Sequence, residues 1–337
     1  MSAPTDVVIL HGARTPQGRI MGQLAPLSAV RLGAHAIRAA LERAGVEPAQ
    51  VDQVLMGQVI QAGAGQNPAK QAAMAAGISR SVPAMTLNKV CLSGLVAVTE
   101  AARMLRLGEA DVVVAGGMES MTNAPHLALG ARKGKSYGDM RLADSLAHDG
   151  LVDVEKGVPM GELTESGNGE RQIDRAEQDA VAARSHQLAG KAQQDGIFAD
   201  EIAPIEVPQR KGDPVVVDTD EHPRMKKNGD VYEIATDTET MAGLKPAFRK
   251  GGSVTAGNAS GLNDGAAAVL VMSEDEASRR GLTPLARIVS MRMSAAGMSM
   301  STSSASGRTA TVAAEVWMRP PASVAGTRWT RCTPLSN

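Results

Sequence analysis

Apolar and polar positions switch between two periods along the first 120 residues, and each switch marks an element. Residues 6–10, DVVIL, are a β-branched apolar run that predicts a strand, followed by the loop GARTPQGR. In residues 27–43, Val30, Ala34, Ile37 and Leu41 recur three and four apart, which predicts a helix that Gly45 stops. Residues 51–60 read as a strand with its exit loop, and residues 68–76 as an Ala-rich helix opened by Pro68. Residues 86–90 are short and extended, 93–107 form a long apolar helix, and 111–115 (DVVVA) form a buried-type strand ended by Gly116-Gly117. Continuous apolar strands separated by helices predict an α/β fold with a mainly parallel sheet covered on both faces.

From about residue 120 to 250 the pattern changes to a stretch richer in charge, Gly and Pro, with one clear helix over 174–195. A structureless loop of that length is improbable, so the stretch is read as an insertion domain carried on the sheet protein. The alternation of the first 120 residues resumes over 253–273, where GAAAVLVMS is a buried strand. EDEASRRG follows as a short helix, and LARIVS at 285–290 as a further strand. From Met291 no period persists; residues 301–306 are almost pure Ser/Thr, and the tail holds both tryptophans, five arginines and a single acid, Glu315. Such a stretch buries too little apolar surface to order itself, so residues 291–337 are expected to be an aberrant, disordered tail.

Composition narrows the function classes. Of 337 residues, 43% are hydrophobic and only 2% aromatic, so the core must be packed from Ala, Val, Leu, Ile and Met. A net charge of −1 argues against a dedicated nucleic-acid binder. No apolar run approaches the ~20 residues of a membrane span, and MSAPTDVVIL lacks the form of a secretory signal, so a cytoplasmic protein is expected. Cys91 and Cys332 are too few for a disulfide scaffold and have no metal-ligand spacing.

The chemistry centres on Asn88-Lys89-Val90-Cys91-Leu92-Ser93-Gly94-Leu95, which puts a cysteine between a short strand and a helix beginning at Ser93-Gly94. A thiol at a helix N-terminus meets unpaired N–H groups and the positive end of the dipole, which favour the nucleophilic thiolate. Gly94 allows close approach of a ligand to the backbone. A cysteine in apolar surroundings is equally a small buried hydrophobe, and the residues alone leave both readings open.

NKVCLSGL is similar to the nucleophile motif of the thiolases, in which a cysteine takes an acyl group from acyl-CoA. RTPQGR resembles that family's first loop, GGMESMTNAPH the lead into its loop domain, and VTAGNASGLNDGAAAVLVMSEDEASRRG another of its motifs. These blocks stand in family order over roughly residues 6–290. The resemblance implies a thiolase fold: an N-terminal βαβαβ half over residues 1–122 and 250–273, an inserted CoA-binding loop domain over 123–249, and the start of a C-terminal half over 274–290.

Residue by residue, it makes Cys91 the nucleophile and puts Met160 of VPMGELTE beside the acyl group and pantetheine. Ala256 and Ser260 of TAGNAS would line the pantetheine tunnel, and Arg224 and Thr240 would lie near the nucleotide end. Pro159 stands where many short-chain biosynthetic members have His, which leaves acyl-chain length open, as is the direction of the reaction. His126, His148 and His186 stand in no family motif and are read as surface or loop residues.

The implied activity is acyl transfer between coenzyme-A thioesters, with acyl-CoA and CoA as partners, no nucleic acid or membrane, no cofactor, and a homodimer or homotetramer as the assembly. The family's Asn-Glu-Ala-Phe and Gly-His-Pro segments and its Gly-flanked second cysteine find no match after Ser290, and Cys332 in TRCTPLSN lacks the glycines. The expectation is therefore a second half that is truncated or frame-shifted after Ser290, with impaired turnover. A non-catalytic, thiolase-like protein that binds CoA or a partner is the alternative.

Overall fold

The computed structural model describes residues 6–222, 225–228, 231–234, 236–293, 314–319 and 330–332. The first part of the chain gives β1 (Val7–Arg14), β2 (Gly18–Arg19), α1 (Ala29–Ala44), β3 (Gln53–Gly57), α2 (Pro68–Ala75), β4 (Ala84–Leu87), α3 (Ser93–Leu107) and β5 (Val112–Ser120). The middle holds β6 (His126–Leu127), β7 (Ala143–Asp144), α4 (Met160–Arg171), α5 (Arg175–Gln194), β8 (Ile205–Val207), β9 (Val215–Val217), β10 (Met225–Asn228), β11 (Val231–Ile234) and α6 (Thr238–Ala242). Then come β12 (Asn263–Ser273), α7 (Glu274–Arg279), β13 (Ala286–Met293), β14 (Ala314–Arg319) and β15 (Thr330–Cys332).

The helices start and stop where local chemistry dictates. Ser28 caps α1 by accepting from the Arg31 N–H, and Gly45 closes it at φ 64°. Pro68 opens α2 behind an Asn67 cap, and Asp174 and Glu177 form a capping box on α5. Helix α4 is absent from the sequence reading because MGELTESGNGER carries three glycines and no apolar stripe.

The main sheet runs β15-β14-β13-β1-β12-β5-β3-β4, with β2 paired to the start of β12. It is mixed rather than mainly parallel. β5 pairs in parallel with β3, and β3 with β4, while β12 lies antiparallel to both β1 and β5. Strands β1, β3, β4 and β5 therefore all point one way, as the alternating pattern requires, and the strand that returns from the insertion is driven antiparallel between them.

Period-2 alternation splits β5 between two cores. Val112 and Val114 face the layer of α1 and α2 with Leu32, Ile37 and Leu41, while Val113 and Ala115 face α3 with Ala97, Ala101 and Leu105. Ala203, Ile205, Val207 and Val217 from the inserted stretch bury themselves in the α1 layer.

Two further expectations differ from what is observed. Gly116-Gly117 does not end β5, which continues to Ser120, because these glycines serve close approach. A Cβ on Gly116 would overlap the Ala267 carbonyl oxygen. Beyond Met291, where no strand period is legible, β13 runs to Met293, and β14 and β15 pair antiparallel at the sheet edge. Ladder hydrogen bonds at an edge come from the backbone and do not need an alternating side-chain pattern.

What positions the site is the seat of α3. A Cβ on Gly57 would lie 2.5 Å from the Ser93 carbonyl carbon and 2.6 Å from the Gly94 nitrogen, and one on Gly117 would lie 3.3 Å from the Gly94 Cα. The first turn of α3 thus rests directly on the ends of β3 and β5. Gly57→Ala is expected to lower unfolding free energy by about 1–3 kcal/mol through this overlap, measured as a drop in the urea midpoint at unchanged slope.

Candidate active site

β4 ends at Leu87 and α3 begins at Ser93, so five residues, 88–92, must turn the chain from the sheet into the helix. Asn88 Oδ1 accepts from the Val90 N–H at 2.9 Å, and the Lys89 N–H donates to Ser93 Oγ at 2.8 Å. The Ser93 hydroxyl in turn donates to the Val90 carbonyl at 2.5 Å, and the Ser93 N–H to the same oxygen at 3.0 Å. These bonds hold Val90 at φ 51°, a left-handed conformation that a β-branched residue rarely adopts. Cys91 follows it and is exposed, which excludes the reading of a small buried hydrophobe.

The sheet register places the other predicted residues relative to this thiol. Gly57 is opposite both Leu87 and Gly117, so β3 and β4 end side by side against Gly117 of β5. β5 runs on to Ser120, which faces Asp264 at the start of β12. Cys91 leaves the sheet just after β4 and Ser260 enters just before β12, so both lie at one edge, the carboxyl ends of the parallel strands. In open α/β sheets that edge is where ligands bind. Strands ~4.8 Å apart put β4 and β12 roughly 14 Å from each other across three steps.

Asp264 fastens that edge. Its fully buried carboxylate accepts from the Thr122 N–H at 3.0 Å and from the Thr122 and Ser120 hydroxyls at 2.5 and 3.3 Å.

Ala256 and Ser260 are exposed on a turn whose intervening Gly257 is buried. Asn258 builds the turn: its Oδ1 accepts from the Thr255 N–H at 2.7 Å, and its Nδ2 donates to the Ser253 carbonyl at 3.0 Å and to Asp179 at 2.9 Å. Asp179 is bound by Arg175 at 2.6 Å, and Arg175 donates to the Met241 and Leu244 carbonyls at 2.7 and 3.0 Å. One network thus ties α5, the end of α6 and the 255–260 turn together. Thr240 sits in α6, exposed, and its N–H donates to Asp237 Oδ1 at 2.7 Å as part of the helix cap. The Thr240 hydroxyl also bonds Asp237 and, with that N–H, holds the carboxyl below its usual range. Arg224 lies outside the described residues.

Met160 opens α4, half-buried, and its neighbour Gly161 fits against Phe248, where a Cβ would overlap the ring. The clip between α4 and the turn is Glu165, which the sequence reading does not single out. Its carboxylate accepts from the Ser253 N–H at 2.9 Å, the Ser253 hydroxyl at 3.0 Å and the Val254 N–H at 2.7 Å. Burial alone pushes this carboxyl up, but those donors and the nearby Arg249 guanidinium outweigh it and bring the group below the usual carboxylate range. In the sequence Glu165 is one of three glutamates in the polar, Gly-rich run GELTESGNGE, with nothing to mark it out.

His186, read as a surface or loop residue, stands half-buried on α5 with Nε2 3.3 Å from the Gly257 carbonyl, against the same turn. His148 is exposed beside Asp149 at 2.8 Å, and His126 is exposed in β6. Among the described residues no cluster of three or more His, Cys, Asp or Glu is placed to hold a metal, and no helix is long and apolar enough to cross a membrane.

The model of the thiolase N-terminal domain matches residues 7–275. The chain belongs to the thiolase family. Thiolase relatives include a probable acetyl-CoA acetyltransferase of Mycolicibacterium smegmatis, 54% identical over 281 residues that cover 83% of this chain and 70% of that protein. The acetyl-CoA acetyltransferase of Cupriavidus necator is 53% identical over 286 residues, 85% of this chain and 70% of the relative. The crystal structure of the Bacillus anthracis acetyl-CoA acetyltransferase superposes with a TM-score of 0.82 at 41% identity, covering 88% of this chain and 73% of that one. The thiolase fold expected from the motifs is therefore the fold observed.

The Glu165 clip gives a pH prediction. A carboxyl whose folded pKa is depressed contributes stability that is present above its unfolded value of ~4.3 and lost as pH falls through the folded value. Glu165→Gln is expected to lower unfolding free energy by about 1.5–3 kcal/mol at pH 7. The gap between variant and parent should shrink as urea unfolding is repeated at steps below pH ~4.3.

Proposed function

We propose that this chain transfers an acetyl or longer acyl group between coenzyme-A thioesters through a thioester formed on Cys91. The observation that carries the reading is the exposed Cys91 thiol at the start of α3, on the sheet edge shared with the Ala256–Ser260 turn. Acetyl-CoA acetyltransferase is the name borne by relatives at 53% identity, and it supports the same chemistry.

In the first half-reaction the Cys91 thiolate attacks the thioester carbonyl carbon. The new carbon–sulfur bond forms as the bond to coenzyme A breaks, and the departing CoA thiolate takes up the proton that Cys91 released. In the second, the bond between the acyl carbon and the Cys91 sulfur breaks as the acyl group passes to one of two acceptors. A CoA thiolate gives acyl-CoA; the α-carbon of a second acetyl-CoA, whose α-proton goes to a base, gives a 3-ketoacyl-CoA. The freed Cys91 thiolate is ready for the next cycle. Splitting one difficult transfer into two is what a covalent nucleophile supplies.

On this reading residues 123–249 form the CoA-binding insertion. Met160, Ala256 and Ser260 wall the pantetheine path, with Thr240 and Arg224 toward the nucleotide. Small exposed side chains at Ala256 and Ser260 leave room for a slender, flexible arm. The enzyme works without a metal, in the cytoplasm, as a homodimer or homotetramer. Carbon–carbon bond formation also needs a base, and the family's histidine and second-cysteine motifs find no match after Ser290. Losing a general base typically removes ~10²–10⁴ in rate, so turnover by this chain is impaired and acylation of Cys91 is the step to test first.

Intact mass after incubation with acetyl-CoA should show a single acetyl adduct that is absent from Cys91→Ala. A folded protein that binds acetyl-CoA yet forms no adduct would replace this reading with that of a non-catalytic CoA binder.

A further inference from the structure

The loop leaving β3 is wedged between the end of β5 and the turn that carries Cys91. On one side, Glu119 of β5 accepts through Oε2 from the Val59 N–H at 2.8 Å and the Ile60 N–H at 3.2 Å. On the other, the Val59 carbonyl accepts from Asn88 Nδ2 at 3.3 Å, and Gln58 N–H donates to the Leu87 carbonyl at 2.9 Å. Asn88 then uses its remaining oxygen to hold the Val90 N–H at 2.9 Å, in the one turn position with a left-handed β-branched residue. Gln58 stiffens the wedge by donating from Nε2 to the Ile60 carbonyl at 2.9 Å.

We propose that Glu119 is a positioning residue for Cys91, acting through the Val59–Ile60 backbone and the Asn88 side chain to hold Val90 in its strained conformation and so aim the Cys91 sulfur. The proposal deepens the acyl-transfer reading and rests on it.

Two features support the relay beyond its hydrogen bonds. Val90 has no reason of its own to stay at φ 51°, a conformation costing of order 1–3 kcal/mol, so its surroundings must impose it. Glu119 also sits where a carboxylate is unwelcome: burial pushes its carboxyl above the usual range, nearby N–H donors pull back, and Asp264 adds to the upward push. A group kept ionisable against that penalty is matched to the two N–H groups that it must satisfy. Without it they would be left without their acceptor, and the wedge would be free to slide.

The test is the rate of Cys91 acetylation by acetyl-CoA, followed by time-resolved intact mass on the full chain. Parent, Glu119→Ala, Glu119→Gln, Asn88→Ala and the Glu119→Ala/Asn88→Ala double variant are compared, each with its melting midpoint. Misplacing a reacting atom by about 1 Å costs on the order of 100-fold, so each alanine variant should acetylate about 10- to 100-fold more slowly. Glu119→Gln keeps an oxygen for the two N–H groups and should restore most of the rate. If the two residues act in series, the double variant is no slower than the worse single one, a non-additivity that general loosening does not produce.

A wild-type rate in Glu119→Ala overturns the proposal. So does a double variant whose loss is the product of the single losses, or a Glu119→Gln as slow as the alanine variant. If the parent itself takes no acetyl group, the acyl-transfer reading fails. The same comparison is then made with iodoacetamide alkylation of Cys91, and the same pattern of losses decides the relay independently.

Discussion

Everything that makes Cys91 usable depends on how closely helix α3 approaches the sheet. A helix normally stands off from a sheet by the thickness of its side chains; here the first turn of α3 touches the ends of β3 and β5 through Gly57, Gly94 and Gly117. That contact leaves no room for the chain to wander between β4 and α3. The five-residue turn has one course, and the thiol emerges at the N-terminal end of the helix. The aromatic-poor core follows the same rule, since Ala97, Ala101 and Ala102 on α3 keep the rest of the helix close to Leu55 and Val113.

The second constraint is how the segments that carry the candidate site residues are attached to each other. Met160, Ala256, Ser260 and Thr240 come from three separate segments, and apolar packing alone does not index them. Buried or half-buried polar groups do so: Glu165 joins α4 to residues 253–254, while Arg175, Asp179 and Asn258 join α5 and the end of α6 to the same turn. Just beyond that turn, Asp264 at the start of β12 is bonded to Ser120 and Thr122 at the end of β5. Each of these groups is costly to bury and directional when satisfied, so it specifies registry in a way that alanine contacts cannot.

The elements that rest on periodicity are legible in the sequence. The spacing predicts a helix over 93–107 and α3 spans Ser93–Leu107; it predicts a helix over 174–195 and α5 spans Arg175–Gln194. Sheet direction is not legible, because an apolar run such as GAAAVLVMS carries no arrow, and the antiparallel return of β12 depends on where the insertion releases the chain. Helix α4 is hidden by its glycines, and β14 and β15 by a mode of pairing that needs no side-chain pattern. Within the site, the nucleophile turn is visible because strand, cysteine and Ser-Gly lie consecutively. The roles of Glu165 and Glu119 and the approach of His186 to Gly257 are not, since each partner lies about 60 or more residues away in the chain.

Val90 shows how these layers meet. A β-branched residue at positive φ is locally wrong, and sequence preference gives no warning of it. It persists because Asn88 and Ser93 satisfy its N–H and carbonyl at the same time. Beside it lie the first turn of α3, seated on Gly57 and Gly117, and the loop after β3, which Asn88 reaches through the Val59 carbonyl. On the proposed relay, the strain is held by the glycine seat of α3 on one side and by the loop after β3 on the other. On the proposed acyl-transfer reading, the Cys91 sulfur meets both a donor and an acceptor and must not swing with each substrate. Placing the strained residue directly before it converts the rigidity of the sheet into a fixed direction for one carbon–sulfur bond.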